Sequence, residues 1–172
     1  MGVGLAAAAL LLAAGTASAS GLPAAYAAMV IQPTGAPDRA EFDLTPAIAR
    51  AQREGKRLYV YLGANDCPYC RRYEAFLDKN AGELVPQFKP WLMVDLRSSL
   101  SMTAAKVYFR VGPKSLPYAD FQRSINDERA RMLVYPSVWV FDAQMKPLMQ
   151  MPAGTGTFET VPEQLEILDL VQ

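Results

Sequence analysis

The sequence has no histidine and only two cysteines, Cys67 and Cys70. The missing histidine excludes Ser–His–Asp triads, histidine general bases and every metal site that needs an imidazole ligand. Two cysteines are too few for a disulfide-stabilised scaffold, or for an all-cysteine zinc or iron–sulfur site. We therefore expect any chemistry of this protein to pass through these two sulfur atoms.

The sequence also lacks an excess of either charge, since Lys plus Arg is 17 and Asp plus Glu is 17. Proteins that bind nucleic acid usually carry a basic excess, so we expect no nucleic-acid partner. The hydrophobic fraction of 51% excludes wholesale disorder. A chain of 172 residues has the length of one domain with a substantial core.

Charged side chains are missing from the whole N-terminal part of the chain and begin only at Asp38. Residues 5–14 are an unbroken run of Leu and Ala, and residues 17–19 match the small-x-small cleavage rule. The run is shorter than the about 20 apolar residues of a transmembrane helix. We expect residues 1–19 to be a secretory signal peptide, which would place the cysteines in an oxidising compartment. An uncleaved anchor or a misassigned start site stays open, because the first four residues contain no basic side chain.

The segment that follows, residues 20–37, is rich in Ala, Pro and Gly. This composition is typical of a flexible tether between a cleavage site and a folded domain. The domain itself is therefore expected to span residues 38–172.

Helix and strand signals alternate along this domain. Thr45 as a hydroxyl N-cap, Pro46 in the first turn and Gly55 as a stop predict one helix. The whole set comprises helices at 45–54, from Cys67 to about 80, at 120–132 and at 162–171, and strands at 58–62, 91–94, 137–141 and 147–151. Alternation that ends in a strand–turn–strand hairpin predicts an α/β sandwich with a mixed sheet.

The two cysteines form a C-x-x-C motif, with Pro68 and Tyr69 between them, at the predicted start of a helix. Free N–H groups and the helix dipole stabilise a thiolate at this place. Pro68 suits the first turn because no N–H partner is needed there. We expect Cys67, nearer the solvent, to attack a disulfide as the nucleophile. Cys70 lies one turn further in, and we expect it to resolve the mixed disulfide.

Two other interpretations of the cysteine pair stay open. A zinc half-site would need two more strong ligands, and the sequence has no further Cys or His. An inert structural disulfide would close a very short loop, which restricts the unfolded chain little. The alternative function is therefore a binding or assembly module whose C-x-x-C is a stable structural disulfide.

Three parts of the sequence resemble the thioredoxin superfamily, in particular the exported bacterial thioredoxin-like thiol–disulfide oxidoreductases. They are LYVYLGANDCPYC, the pair Tyr135-Pro136 directly before a strand, and SVWVFDAQMKPL followed by Gly154 and Gly156. The resemblance covers residues 43–171. It implies a thioredoxin-like three-layer sandwich with a central mixed β-sheet, plus an insert between Asp95 and Pro136 that precedes the cis-proline strand. This insert is expected to be either a partner surface or a neutral excursion.

The resemblance also implies a function. The protein would be an enzyme, a thiol–disulfide oxidoreductase that acts on protein cysteines and disulfides without a bound cofactor or metal. It would be periplasmic, with a membrane electron-transfer protein as its redox partner. No histidine stands between the cysteines, which disfavours the strongest oxidant type, so a reductant is expected. The implied catalytic residues are Cys67, Cys70 and Pro136, and the implied substrate-binding residues are Tyr135, Pro68 and Tyr69, with the Tyr135–Pro136 bond cis and beside Cys67.

The sequence departs from the family at the position six residues before the first cysteine. Thioredoxin has a buried acid there, whereas this chain has Tyr61, so the usual proton acceptor for the resolving thiol is missing. Asp66, Glu74 and Asp95 are the other carboxylates considered, and their distance from the cysteines does not follow from the sequence. The intervening Pro-Tyr is also typical of glutaredoxins, but the glutaredoxin double glycine is absent, which disfavours glutathione as a substrate.

Overall fold

Eight β-strands and five α-helices alternate in the computed structural model, which describes residues 20–36, 38–127, 132–149 and 158–171. The α/β class predicted from the sequence is therefore confirmed. The strands are β1 Met29–Ile31, β2 Ala40–Asp43, β3 Arg57–Ala64, β4 Trp91–Ser98, β5 Val107–Val111, β6 Lys114–Pro117, β7 Ser137–Phe141 and β8 Pro147–Met149. The helices are α1 Thr45–Glu54, α2 Pro68–Lys79, α3 Ala81–Gln87, α4 Tyr118–Ser124 and α5 Val161–Leu170.

The main sheet has five strands in the order β1-β4-β3-β7-β8. Strands β1, β4 and β3 run parallel, whereas β7 and β8 are antiparallel to their neighbours, so the sheet is mixed as predicted. The central strand β3 places Tyr61 between Asp95 of β4 and Val138 of β7. The carboxyl end of β3 leads directly into the loop that carries the cysteines.

Both faces of the main sheet are covered, because successive side chains of β3 point to opposite sides. Leu58, Val60 and Leu62 pack in a cluster with α1, α4 and part of the second sheet. Tyr59 and Tyr61 pack in a second cluster with α2, α3 and α5. Burial on both faces explains why the sequence shows a continuous apolar and aromatic run here instead of alternation.

The insert between β4 and β7 contributes a helix and two strands of a second sheet. Strand β5 pairs in parallel with β2 and antiparallel with β6, which gives the order β2-β5-β6. The ring centroid of Phe109 on β5 lies 4.3 Å from that of Phe121 on α4 and 6.0 Å from that of Trp139 on β7. The insert is therefore packed onto the core of the domain.

The helix predicted at 120–132 is wrong in its extent. Helix α4 begins two residues earlier and ends at Ser124, and Asn126 follows with a left-handed φ of 56°. Asn adopts this conformation more readily than most residues, and an α-helix cannot continue through it. Asp127 then accepts a hydrogen bond from Trp139 Nε1 at 3.0 Å, which ties the chain to β7. Residues 128–131 lie outside the described residues.

The segment before Asp38 belongs to the fold, which differs from the tether that its composition predicts. Strand β1 pairs with β4 through Ile31 opposite Leu96, and Ile31 is buried. The buried Tyr26 donates a hydrogen bond from its hydroxyl to the carbonyl of Leu77 at 2.9 Å. A three-residue strand carries no periodicity, so only its pairing reveals it. The predicted signal peptide, residues 1–19, lies outside the described residues.

Element boundaries differ from the prediction in smaller ways. Thr45 is not the N-cap of α1; Asp43 Oδ1 instead accepts a hydrogen bond from the Thr45 N–H at 2.9 Å. Gly55 ends this helix with φ 63°, as predicted. Helix α5 begins one residue before the predicted start, behind a capping box of Thr160 and Glu163. Gly154, Gly156 and the end of the predicted strand at 147–151 lie outside the described residues.

Candidate functional site

The C-x-x-C motif lies where the central strand passes into helix α2. Cys67 is the N-cap of α2 and has extended backbone angles, with φ −91° and ψ 117°. Its Sγ accepts a hydrogen bond from the Cys70 N–H at 3.1 Å, and Pro68 begins the helix. The predicted place at a helix N-terminus is confirmed, and a free N–H of the first turn is directed at the sulfur of Cys67.

Both cysteines are free thiols, and both are buried. The exposed fraction is 1% for Cys67 and 0% for Cys70, so exposure barely separates the two cysteines, and the expectation that Cys67 lies nearer the solvent stays a prediction. The pair packs against Ala64 and the half-buried Tyr135, which take the place of solvent. Hydrogen bonding, rather than exposure, distinguishes the two sulfur atoms.

Cys70 is held in its protonated form. Burial, with a further contribution from the hydrogen bond to Cys67, raises the pKa of the Cys70 thiol to about 12. The Ala64 N–H, 3.4 Å from Cys70 Sγ, and the Tyr61 hydroxyl lower this pKa in part. Cys70 therefore needs a proton acceptor before it can act as a nucleophile.

Tyr135, the residue before Pro136, packs against the cysteine pair. The peptide bond between Tyr135 and Pro136 is cis, as the resemblance implies. The Tyr135 hydroxyl and the Ser98 hydroxyl share a hydrogen bond of 2.6 Å, which fixes the ring against the cluster of Cys67 and Cys70. Burial also raises the pKa of Tyr135 to about 12.

An open cavity of about 890 Å³ runs past this site between α2 and the start of α5. Two of the three predicted substrate-binding residues, Tyr69 and Tyr135, line it together with Pro136, whereas Pro68 is exposed and is not part of the lining. The remaining wall is partly aromatic, and it includes Phe76 and Phe158 as well as the ion pair of Arg72 and Glu159, whose atoms are 3.1 Å apart. Neither cysteine is among the lining residues, so the groove offers apolar surface that meets the cysteine pair through Tyr135.

A buried ion cluster, which the sequence analysis missed, lies under Cys70. Arg97 Nη1 is 3.1 Å from Glu74 Oε1 and 3.1 Å from Asp95 Oδ1. The Tyr61 hydroxyl donates to the same Glu74 oxygen at 3.0 Å. Asp95 and Arg97 are the two charged residues of the otherwise apolar strand β4. They could have indicated this cluster from the sequence, because buried charges are rare unless they are paired.

The cluster also joins two further parts of the chain. Asn65 Oδ1 accepts hydrogen bonds from Arg97 Nε at 3.1 Å and from Nη2 at 2.7 Å. The Leu22 N–H donates to Asp95 Oδ2 at 2.9 Å. Burial raises the pKa of Asp95 above its ordinary value, although the bonds from Leu22 and Arg97 act in the opposite direction. Asp66, by contrast, is exposed and accepts a bond from the Leu100 N–H at 2.8 Å, outside the cluster.

Gly63 makes room for this cluster on the sheet. A Cβ atom at this position would lie 2.6 Å from Tyr61 Cε1 and 2.9 Å from Arg97 Nη1. Real Cβ atoms do not approach other heavy atoms so closely, so a larger residue would separate the Tyr61 ring from the guanidinium. The glycine therefore permits Tyr61 and Arg97 to converge on Glu74.

Other kinds of site find little support in the described ranges. Within them, no group of three or more Cys, Asp or Glu side chains is placed to hold a metal ion. None of the helices described there combines the length and the apolar character needed to cross a membrane.

No protein-family model matches the chain, and no curated protein matches its sequence.

Proposed function

We propose that this protein is a thiol–disulfide oxidoreductase of the thioredoxin superfamily, which exchanges disulfides with protein cysteines. One observation carries the proposal: Cys67 caps helix α2 and accepts the N–H of Cys70, while Tyr135, the residue before Pro136, packs against both cysteines. This arrangement directs a backbone N–H at the Cys67 sulfur, and it places a second thiol within reach.

The chain topology supports the same family. The motif follows the central strand of a sheet in which β1, β4 and β3 are parallel and β7 and β8 are antiparallel. The cis bond at Tyr135–Pro136 directly precedes β7. A thioredoxin-like sandwich with an additional small sheet, formed by β2 and two strands of the insert, accounts for both features.

The proposed reaction begins with attack of the Cys67 thiolate on one sulfur of a substrate disulfide. A bond forms between Cys67 Sγ and that sulfur, and the other substrate sulfur leaves as a thiolate. Cys70 then attacks Cys67 Sγ, which closes the Cys67–Cys70 disulfide and releases the second substrate thiolate. The substrate gains two electrons and the cysteine pair loses two. A membrane electron-transfer protein in the periplasm would return the pair to its reduced form.

The burial of both cysteines favours a second candidate, a binding or assembly module with a stable disulfide. Buried cysteines are usually unreactive, and Cys67 is no more than 1% exposed. In that case, the groove beside Tyr69 would bind a partner without exchange of electrons.

The redox potential of the Cys67–Cys70 couple separates these candidates. We expect equilibration against dithiothreitol or glutathione to give a value near the thioredoxin end of the range of about −270 to −120 mV for oxidoreductases. A value close to about −120 mV would overturn the reductant proposal, and one below about −300 mV would support the structural disulfide. The purified protein should also catalyse insulin reduction by dithiothreitol, whereas an assembly module should not.

Tyr69 provides a test of the groove. Its side chain is 68% exposed and lines the cavity, so Tyr69→Ala is expected to leave the melting temperature unchanged. The variant loses an aromatic contact with substrate, and we expect KM for a disulfide-containing peptide to rise about tenfold with little change in kcat. Leu170→Ala is the matched control, because Leu170 is 65% exposed on α5 and is not among the lining residues. Equal KM values for the two variants would exclude the groove as the substrate site.

A further inference from the structure

Cys70 is enclosed by protein on all sides. It is 0% exposed, so the proton of its thiol cannot pass directly to water. A thiol attacks a disulfide only as the thiolate. Resolution of a mixed disulfide on Cys67 therefore needs a group inside the protein that accepts this proton.

A hydroxyl and a carboxylate lie beside Cys70. The Tyr61 hydroxyl is close enough to the Cys70 thiol for each group to shift the pKa of the other. It donates its own proton toward Glu74 Oε1 at 3.0 Å. Because the O–H bond is directed at Glu74, the lone pairs of the hydroxyl oxygen stay available to the S–H of Cys70.

We propose that Tyr61 and Glu74 accept the proton of Cys70 during the resolving step, an inference that rests on the thiol–disulfide exchange proposed above. The S–H proton moves to Tyr61 Oη as the hydroxyl proton moves to Glu74 Oε1. The products are a Cys70 thiolate, a neutral Tyr61 and a protonated Glu74. The electron pair on Cys70 Sγ then forms the bond to Cys67 Sγ, and the substrate sulfur leaves with the electrons of the broken bond.

The charge balance of the buried cluster favours this acceptor. Glu74 and Asp95 share the single guanidinium of Arg97, so the three side chains carry one uncompensated negative charge. A buried charge without a partner is costly, and a proton on Glu74 removes it while Arg97 stays paired with Asp95. Glu74 is 8% exposed, which gives the proton a later route to solvent.

Titratable groups face this path from each element packed against it. Glu74 stands four residues after Cys70 on α2, so both side chains lie on the same face of the helix as neighbours. The carboxylate that accepts the proton therefore belongs to α2. In thioredoxin the buried acid lies on the strand, at the position that Tyr61 of β3 occupies in this chain. The facing groups are Cys67, Cys70 and Tyr73 on α2, Asp95 and Arg97 on β4, and Tyr135 in the loop before β7.

The two chemical steps can be timed separately with the aromatic disulfide DTNB. Attack by Cys67 releases one thionitrobenzoate, and attack by Cys70 on the resulting mixed disulfide releases a second. We expect Tyr61→Phe to slow the second release about a hundredfold at pH 7, a typical loss on removal of an acid–base group. The first release should stay within about twofold of the wild-type rate, since Tyr61 does not act on Cys67.

The dependence on pH separates proton transfer from a structural role. With an internal acceptor, the second release should change little between about pH 6 and pH 9. In Tyr61→Phe the thiolate forms only by direct ionisation, so the rate should rise about tenfold per pH unit. Tyr59→Phe is the matched control, because Tyr59 is buried on the same face of β3 while its hydroxyl bonds to Tyr73 at 2.7 Å. This control should keep the wild-type rates and profile.

Glu74→Gln tests the acceptor independently of the tyrosine variant. The amide keeps a hydrogen bond to the Tyr61 hydroxyl but cannot take up a proton, so its second release should be slow and dependent on pH. Wild-type rates and profiles in both variants would overturn the proton path and leave the proposed function intact. A wild-type protein that releases one thionitrobenzoate or none would overturn both, because Cys70 would then not resolve the mixed disulfide.

Discussion

Replacing Cys67 with serine is expected to abolish thiol–disulfide exchange, and replacing Cys70 with serine is expected to trap substrates as mixed disulfides. Cys67 is the N-cap sulfur to which the Cys70 N–H is directed, so its loss removes the nucleophile. We expect Cys67→Ser to lower the rate of insulin reduction by at least about a thousandfold. Cys70→Ser keeps the first attack but has no thiol to resolve the intermediate.

The two serine variants control each other, since each removes one sulfur from the same short segment. Non-reducing gels of Cys70→Ser after incubation with a disulfide-containing protein should show a covalent complex that dithiothreitol dissolves. Cys67→Ser should show none. The opposite pattern would reverse the two roles. Unchanged insulin reduction in both variants would mean that the pair is not catalytic, and the assembly module would replace the oxidoreductase.

Replacing Arg97 with methionine is expected to cause the largest loss of stability among the substitutions considered. The guanidinium is 3% exposed and is paired with both Glu74 and Asp95. Its removal leaves two buried carboxylates without their cation. Loss of one partner from a buried ion pair typically costs about 3–5 kcal/mol in the free energy of unfolding. Urea denaturation at pH 7 measures this loss.

The loss of stability in Arg97→Met should become smaller as the pH falls. Burial already raises the pKa of Asp95, and removal of Arg97 raises it further. A carboxyl group with a raised pKa in the folded state contributes stability that is present at low pH and is lost as the pH rises through that pKa. The deficit of Arg97→Met should therefore be smallest near the unfolded-state pKa of about 3.9 and largest at neutral pH.

Arg50→Met is the control for the Arg97 experiment. Arg50 lies 2.7 Å from Glu54 in a surface ion pair of α1, and such pairs contribute little to stability. We expect its unfolding curve to stay close to that of the wild-type protein. Two outcomes would contradict the prediction. One is an equal loss of unfolding free energy in both variants, and the other is a loss in Arg97→Met that does not vary with pH. Either would show that Arg97 does not stabilise the protein by neutralising buried carboxylates.

Local chemistry in the sequence predicted the elements that frame the site. Pro46 and Gly55 mark the ends of α1, because proline fits a first turn and glycine tolerates the left-handed stop. The continuous run at 58–62 and the C-x-x-C directly after its loop predicted the end of β3 and the start of α2. The cis bond before Pro136 was predicted by resemblance, and the structure contains it.

The buried charged groups near the cysteine pair depend on long-range pairing and were not predictable from the sequence. The parallel register of β3 and β4 sets Tyr61 opposite Asp95 and Gly63 opposite Arg97, which brings two charges of β4 beneath α2. The pairing of β1 with β4 likewise turned a predicted tether into part of the sheet. Propensity and capping act over a few residues, whereas burial and ion pairing depend on neighbours that are distant in the chain. The sequence therefore identified the two cysteines as the candidate reactive groups, while the register of two strands and the approach of one helix determined which groups surround them.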